Sequence, residues 1–268
     1  HGIKFNYIQI MGILNITPDS FYDGNKTNSL NFTKNRYNLI EKAHIIDIGA
    51  ESSRPGSEPV SSKDEIERLK ILSDFNLENK FLSIDSYKHD VIKYCLNSHF
   101  NMINDISGGG DNFENINLAK EYDVPICIMH MLGNPKIMQK NPKYDSLIDN
   151  LIDFFSIRIE YCEKIGFDLD KLIIDPGIGF GKTVDDNFKI ISNIYKLKKL
   201  GCKILIGLSR KSFLEIHNDQ PSERLGQSIT MQCISVLNGA NIIRTHDVLE
   251  TIKSIEILKK YGITRIYK

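Results

Sequence analysis

Polar side chains recur at one place in an otherwise apolar rhythm, at or just past the end of each short run of branched residues. Asn15, Asp47, Asp85, Asn104-Asp105, His130, Asp175, Ser209-Arg210-Lys211 and Arg244 with His246 hold these positions. Asp85, Asn104 and Asp175 offer carboxylate and amide groups suited to a heterocycle with adjacent N–H donors and ring acceptors. Lys211, Arg244 and His246 offer positive or proton-donating groups for an anion. A site carrying both sets could hold a polar ring at one end and stabilise a departing phosphate-type group at the other. Each residue alone also has a plainer role. Asp175 precedes Pro176-Gly177 and suits a turn, Asp85 suits a helix cap, Arg210 suits a surface ion pair, and a lone His246 suits a structural hydrogen bond. Eight successive occurrences make an all-structural account much less attractive.

The elements that must position these groups are short and regular. Strands are expected at 8–14, 45–48, 81–84, 102–106, 125–129, 172–174, 203–208 and 242–244, each with the branched, apolar character of a strand buried on both faces. Helical spacing fills the intervals at 32–42, 64–75, 90–97, 113–122, 147–162, 185–200, 222–237 and 248–261. In the clearest of these, Leu147, Leu151, Phe154, Phe155, Ile159 and Cys162 share one face. Ser62 to Glu65 has the form of a capping box. Eight strand–helix units in 268 residues fit an eight-fold (β/α)8 TIM barrel, whose site lies at the C-terminal rim of the strands. A doubly wound open sheet is the structural rival. With no repeat, low-complexity tract or linker, residues 1–268 are expected to form a single domain. Two long connections, 17–29 and 52–61, follow the first two strands; loops so placed are often functional, and a mobile surface loop is the plain alternative.

Lys+Arg and Asp+Glu both total 34, so the chain lacks the basic excess of a phosphate-gripping nucleic-acid binder or a polybasic membrane binder. The uncharged run 225–243 carries too many Gln, Ser, Thr and Asn residues for a lipid-facing helix. Five widely spaced cysteines without CxxC point to a reducing, cytoplasmic setting and away from a disulfide framework or zinc ribbon. No signal peptide is recognisable, and His1 in place of Met is compatible with a processed chain or a domain excised from a longer or fused polypeptide. The segment Gly177-Ile-Gly-Phe-Gly-Lys-Thr183 fails both the phosphate-loop spacing and the dinucleotide spacing. It suits a tight loop that lets a ligand approach the backbone. Cys and His do not cluster as a structural zinc site would require. A magnesium ion held partly by a leaving pyrophosphate would need few protein ligands.

Taken in order, these segments resemble the dihydropteroate synthase family of pterin-binding enzymes over nearly the whole chain. The resemblance is carried by Met11-Gly-Ile-Leu-Asn-Ile-Thr-Pro-Asp-Ser-Phe21, Asp47-Ile-Gly-Ala-Glu-Ser-Ser-Arg-Pro-Gly56, Ser83-Ile-Asp-Ser86 and Ile103-Asn-Asp-Ile-Ser-Gly108. Asp175-Pro-Gly-Ile-Gly-Phe-Gly-Lys182, Gly207-Leu-Ser-Arg-Lys-Ser212 and Arg244-Thr-His246 complete it. The family is an eight-fold barrel. Its members join 6-hydroxymethyl-7,8-dihydropterin diphosphate to p-aminobenzoate, giving 7,8-dihydropteroate and pyrophosphate in folate biosynthesis, and they are sulfonamide targets.

The resemblance implies that Asp85, Asn104, Asp175 and Lys211 bind the pterin, with Ile106, Met129 and Phe180 lining its pocket. It implies that Arg244, His246 and Asn15 handle the diphosphate, Asn15 by way of Mg2+. Phe21, Ser53, Arg54, Pro55 and Ser212 would form the aminobenzoate site, and Asp23 would stabilise the reacting centre. It further implies a homodimer and allows fusion to, or partnership with, the pterin pyrophosphokinase. Ser53 stands where members often have Thr, Asn25 replaces a common loop glycine, and Tyr22 replaces a common small residue. None of these suggests inactivity. Two rival readings remain at this level. One is a pterin-barrel methyltransferase with a corrinoid partner, which has no evident need for the anion set. The other is a binding protein that kept the pocket and lost catalysis.

Overall fold

In the computed structural model, residues 7–16, 26–52, 59–133, 138 and 142–261 are described. Eight parallel strands pair in sequence order, and the last closes on the first. They are β1 (Gln9–Asn15), β2 (Ile45–Gly49), β3 (Leu82–Asp85), β4 (Met102–Asp105), β5 (Ile126–Met129), β6 (Leu172–Asp175), β7 (Lys203–Gly207) and β8 (Ile242–Thr245). The crossovers run through α1 (Lys26–Ile40), α2 (Ser62–Leu69), α3 (His89–Asn97), α4 (Glu114–Glu121), α5 (Leu147–Ile165), α6 (Val184–Ser192), α7 (Ile194–Leu197) and α8 (Leu225–Leu237), and α9 (Val248–Lys260) follows β8. The architecture is the expected TIM barrel rather than an open sheet.

Period-two alternation divides the strands between two largely apolar layers, with the buried Ser83 of β3 as a polar exception on the inner row. Met11, Ile45, Met102, Cys127, Ile173, Leu205 and Ile242 fill the barrel interior, with Phe81 packed against them. The alternate residues, among them Ile46, Ile84, Ile103, Ile128, Ile174, Ile206 and Ile243, form the larger layer between strands and helices. Both faces are therefore apolar, which is why the strands read as unbroken hydrophobic runs. Two residues further along the inward row, apolar side chains give way to polar ones: Ile45 to Asp47, Met102 to Asn104, Ile173 to Asp175 and Ile242 to Arg244. The site thus rests directly on the interior core.

Local signals differ from expectation in several places; the helix expected at 64–75, for one, turns from α to 3-10 at Lys70. The cap of α2 is Ser61 rather than Ser62. Its hydroxyl accepts from Asp64 N at 3.1 Å, so the motif is shifted by one residue. The helix expected at 185–200 is broken at Asn193 into α6, α7 and a 3-10 turn. Asp85 does not cap α3, whose N-cap residue is Lys88; it turns inward to the site. A full capping box does occur at Thr183 and Asp186, at the start of α6. Among the described residues, no helix is long and apolar enough to cross a membrane.

Candidate active site

The floor of the site is a polar network among strands that are not neighbours in the barrel. Arg244 of β8 reaches across to donate from Nε to Asp47 Oδ2 at 2.6 Å and from Nη2 to Asp85 Oδ2 at 2.5 Å. Asn104 Nδ2 donates to the same Asp47 oxygen at 2.9 Å. Asp47 is completely buried, and its other oxygen, Oδ1, has no hydrogen-bond partner. Burial opposes the charge on Arg244, but Asp47 and Asp85 outweigh it and hold the guanidinium protonated. Burial pushes the Asp85 carboxyl up to about 7 against the pull of Arg244, with Asp47 adding to the rise. Burial and Asp47 thus favour the neutral acid at Asp85, and Arg244 favours the carboxylate.

Asp175 ends β6 beside a loop that only glycine can form. Its Oδ1 accepts from Gly177 N at 2.7 Å, so it shapes the turn as well as facing the site. Gly177 has φ +71°, and a Cβ there would fall 2.0 Å from the His130 carbonyl oxygen. Burial raises Asp175, opposed chiefly by Lys211. Lys211 donates to the Ile178 carbonyl, and its Nζ lies 4.6 Å from the centre of the Phe180 ring. Burial lowers Lys211 to about 8, with Asp175 pulling the other way.

The remaining groups fall at the rim. His246 is within 3.2 Å of Ser209 Oγ through Nδ1, and burial followed by Arg244 pushes it down to about 3. It is therefore a neutral imidazole at pH 7, able to donate one N–H to an anion but not already cationic. Arg210 forms the ion pair considered for it, a bidentate one with Asp247 at 3.0 and 2.5 Å. This pair joins the residue before Lys211 to the residue after His246. Met129 ends β5 next to Asp175 in register, Ile106 follows β4, Ser212 follows Lys211, and Asn15 ends β1.

The structure thus brings Asp85, Asn104, Asp175, Lys211, Arg244 and His246 to one rim. Asp105, adjacent to Asn104, points away from it and accepts from Ser107 N, Gly109 N and Asn115 Nδ2. Phe21, Asp23, Ser53, Arg54 and Pro55, with Tyr22 and Asn25, lie outside the described residues. Asp47 was expected only as a strand-end residue, and the geometry adds it to the site. Its signal in the sequence was a lone carboxylate in an apolar run, IIDIG.

Comparison with known proteins agrees with this geometry. The model of the family described as pterin binding enzyme matches residues 11–246. The dihydropteroate synthase of Escherichia coli K12 is 37% identical over 266 residues, covering 96% of this chain and 93% of that protein. A Helicobacter pylori protein named bifunctional dihydropteroate synthase/dihydropteroate reductase is 35% identical, covering 96% of this chain and 68% of its own length. The structure of Yersinia pestis dihydropteroate synthase in a sulfonamide drug complex superposes with a TM-score of 0.86 at 34% identity, covering 97% of this chain and 96% of that one. That of the Clostridium difficile dihydropteroate synthase in the presence of pteroic acid also gives 0.86, at 33% identity, covering 97% and 99%. The chain belongs to the pterin-binding enzyme family, and its relatives across nearly its whole length are dihydropteroate synthases.

Proposed function

We propose that this chain is a transferase that condenses 6-hydroxymethyl-7,8-dihydropterin diphosphate with p-aminobenzoate, releasing pyrophosphate and 7,8-dihydropteroate. The observation that carries the reading is the direct contact of Arg244 with Asp85, which joins the ring-recognition set to the anion set in one network. Asp85, Asn104 and Asp175 present acceptors and an amide to the pterin edge, and Ile106, Met129 and Phe180 supply apolar contacts to its faces. Arg244, Lys211 and His246 stabilise charge that grows on the diphosphate as the C–O bond breaks. Carboxylates, with Asp23 among them, stabilise the positive character left on the methylene carbon. The aniline nitrogen is neutral at pH 7 and attacks without a protein nucleophile. Phe21, Ser53, Arg54, Pro55 and Ser212 are assigned to its site by family resemblance.

Mg2+ is the proposed cofactor. Asn15 is half-buried at the end of β1, and its amide has no hydrogen-bond partner among the described residues. One free amide oxygen suits an ion that draws its remaining ligands from water and substrate phosphate. When bound there, the ion would neutralise the leaving diphosphate. We also propose a homodimer, supported by apolar side chains exposed on adjoining helices: Val184 and Phe188 of α6, Tyr195 of α7, and Ile234 and Leu237 of α8. A cytoplasmic location is supported by five free thiols. Fusion to, or partnership with, another folate-pathway enzyme is supported by the two-activity relative.

The test is pyrophosphate release from the pterin diphosphate with and without p-aminobenzoate and Mg2+. Release that requires all three, coupled to dihydropteroate formation, is expected. Pterin binding without release would favour a pocket that lost catalysis, and methyl transfer to a corrinoid would favour the methyltransferase reading.

A further inference from the structure

Lys182 is a buried lysine with no carboxylate in ion-pair range among the described residues. Its ammonium lies 2.9 Å from the Phe180 carbonyl oxygen, 3.3 Å from the His130 carbonyl oxygen and 3.2 Å from His130 Nδ1. Burying a cation among neutral partners is costly. Here burial pushes Lys182 down to about 7, and His130 beside it down to about 3. A methionine or leucine would fill the volume without that cost, so the ammonium has to supply something packing does not.

Its contacts show what that is. His130 directly follows Met129 at the end of β5, and Phe180 lies in the glycine loop after β6. Lys182 is the cross-link between these two segments. The rest of the loop is pinned separately. Tyr144 Oη donates to the Gly181 carbonyl at 2.8 Å, Gly179 N donates to Asn187 Oδ1 at 2.7 Å, and Lys211 donates to the Ile178 carbonyl. With residues 177, 179 and 181 all at positive φ, the loop has little conformational preference of its own. Phe180 N donates to the Gly177 carbonyl at 3.0 Å, and Lys182 adds the donor at the Phe180 carbonyl, so the two together hold the backbone from which the Phe180 ring meets Lys211.

We propose that Lys182 is a positioning residue for the pterin, acting through the Phe180 carbonyl and the end of β5 to fix Phe180 and Met129 around the ring pocket. It touches no substrate. The inference rests on the synthase reading, and it separates the two substrates, because Phe180 and Met129 belong to the pterin half of the site.

Lys182→Met removes the donor and keeps the bulk. Affinity for 6-hydroxymethylpterin, measured by calorimetry, and KM for the pterin diphosphate should each weaken by about tenfold or more, while KM for p-aminobenzoate stays within about twofold. In a Phe180→Ala background the Lys182→Met penalty should largely disappear, because the ring that Lys182 positions through that carbonyl is gone. Unchanged pterin affinity in Lys182→Met, or an equal penalty in both backgrounds, overturns the proposal. If Lys182→Met does not fold, Lys182→Leu, which also lacks the donor, carries the same comparison, and an unchanged KM for the pterin diphosphate then overturns it. Wild-type protein that neither binds 6-hydroxymethylpterin nor releases pyrophosphate would refute the synthase reading instead, so the two failures are distinguishable.

Discussion

Arg244 Nε and Asn104 Nδ2 share a single oxygen of Asp47, at 2.6 and 2.9 Å. Three strands, β2, β4 and β8, are thus tied at one buried atom below the substrate-facing groups. Asp47→Asn keeps the shape, removes the charge opposite Arg244 and leaves Asp85 as its one remaining carboxylate partner in this network. We expect kcat/KM to fall by ~10²-fold in steady-state assays, with a stability loss of about 3 kcal/mol by urea unfolding. Full activity in a folded Asp47→Asn protein would remove Asp47 from the site.

Lys211 gives the reaction an alkaline limit. Its ammonium is held down to about 8 by burial, so the cation is present below that pH and lost as pH rises through it. Turnover should therefore decline above about pH 8. Lys211→Arg, charged throughout, should shift that limb upward, while Lys211→Ala should cost ~10²-fold or more at every pH. A limb that stays in place in Lys211→Arg would assign it to another group.

Acid should destabilise the fold through its histidines. His130 and His246 both titrate near 3 when folded, burial being the main cause, against 6.5 in the unfolded chain. A depressed folded value means stability that is full above pH 6.5 and is lost as pH falls from there toward 3. The slope is at most about 1.4 kcal/mol per pH unit for each histidine. His130→Gln should flatten the decline measured by urea unfolding between pH 6.5 and 4. An unaltered decline would mean other groups cause it.

Lys88 binds Glu51 at 2.5 Å and the fully buried Glu65 at 2.7 Å, and Glu51 also accepts from Val60 N at 3.0 Å. Glu65 Oε1 has no partner of its own. Lys88→Met would leave two acids together with no counter-charge, one of them fully buried. A loss of about 3 kcal/mol or more is expected by thermal or urea unfolding. The double variant Lys88→Met/Glu65→Leu should recover much of it.

The barrel was legible because each strand is a short apolar run with faces that need no distinguishing, and strand limits differ from expectation by a residue or two. Asp85, Asn104, Asp175, Lys211 and Arg244 were legible because a polar group that interrupts such a run has nowhere to point but the site or the helix layer. Which of the two it chooses depends on alternation counted from a neighbour, and this separates Asn104 from Asp105. Asp47 was harder to see because its partner Arg244 is 197 residues away. Lys182 was hidden for a different reason. Two of its three partners are backbone carbonyls, which carry no residue identity. The break at Asn193 left no signal because the apolar spacing continues through it.

The apolar layer of Met11, Ile45, Met102, Cys127, Ile173, Leu205 and Ile242, packed against Phe81, stoppers the barrel below Asp47. A closed tube stoppered at one end is a blind well. Two substrates must enter, and two products must leave, by a single mouth. Traffic through one mouth is a queue, and a molecule seated on the floor carboxylates is the innermost in it.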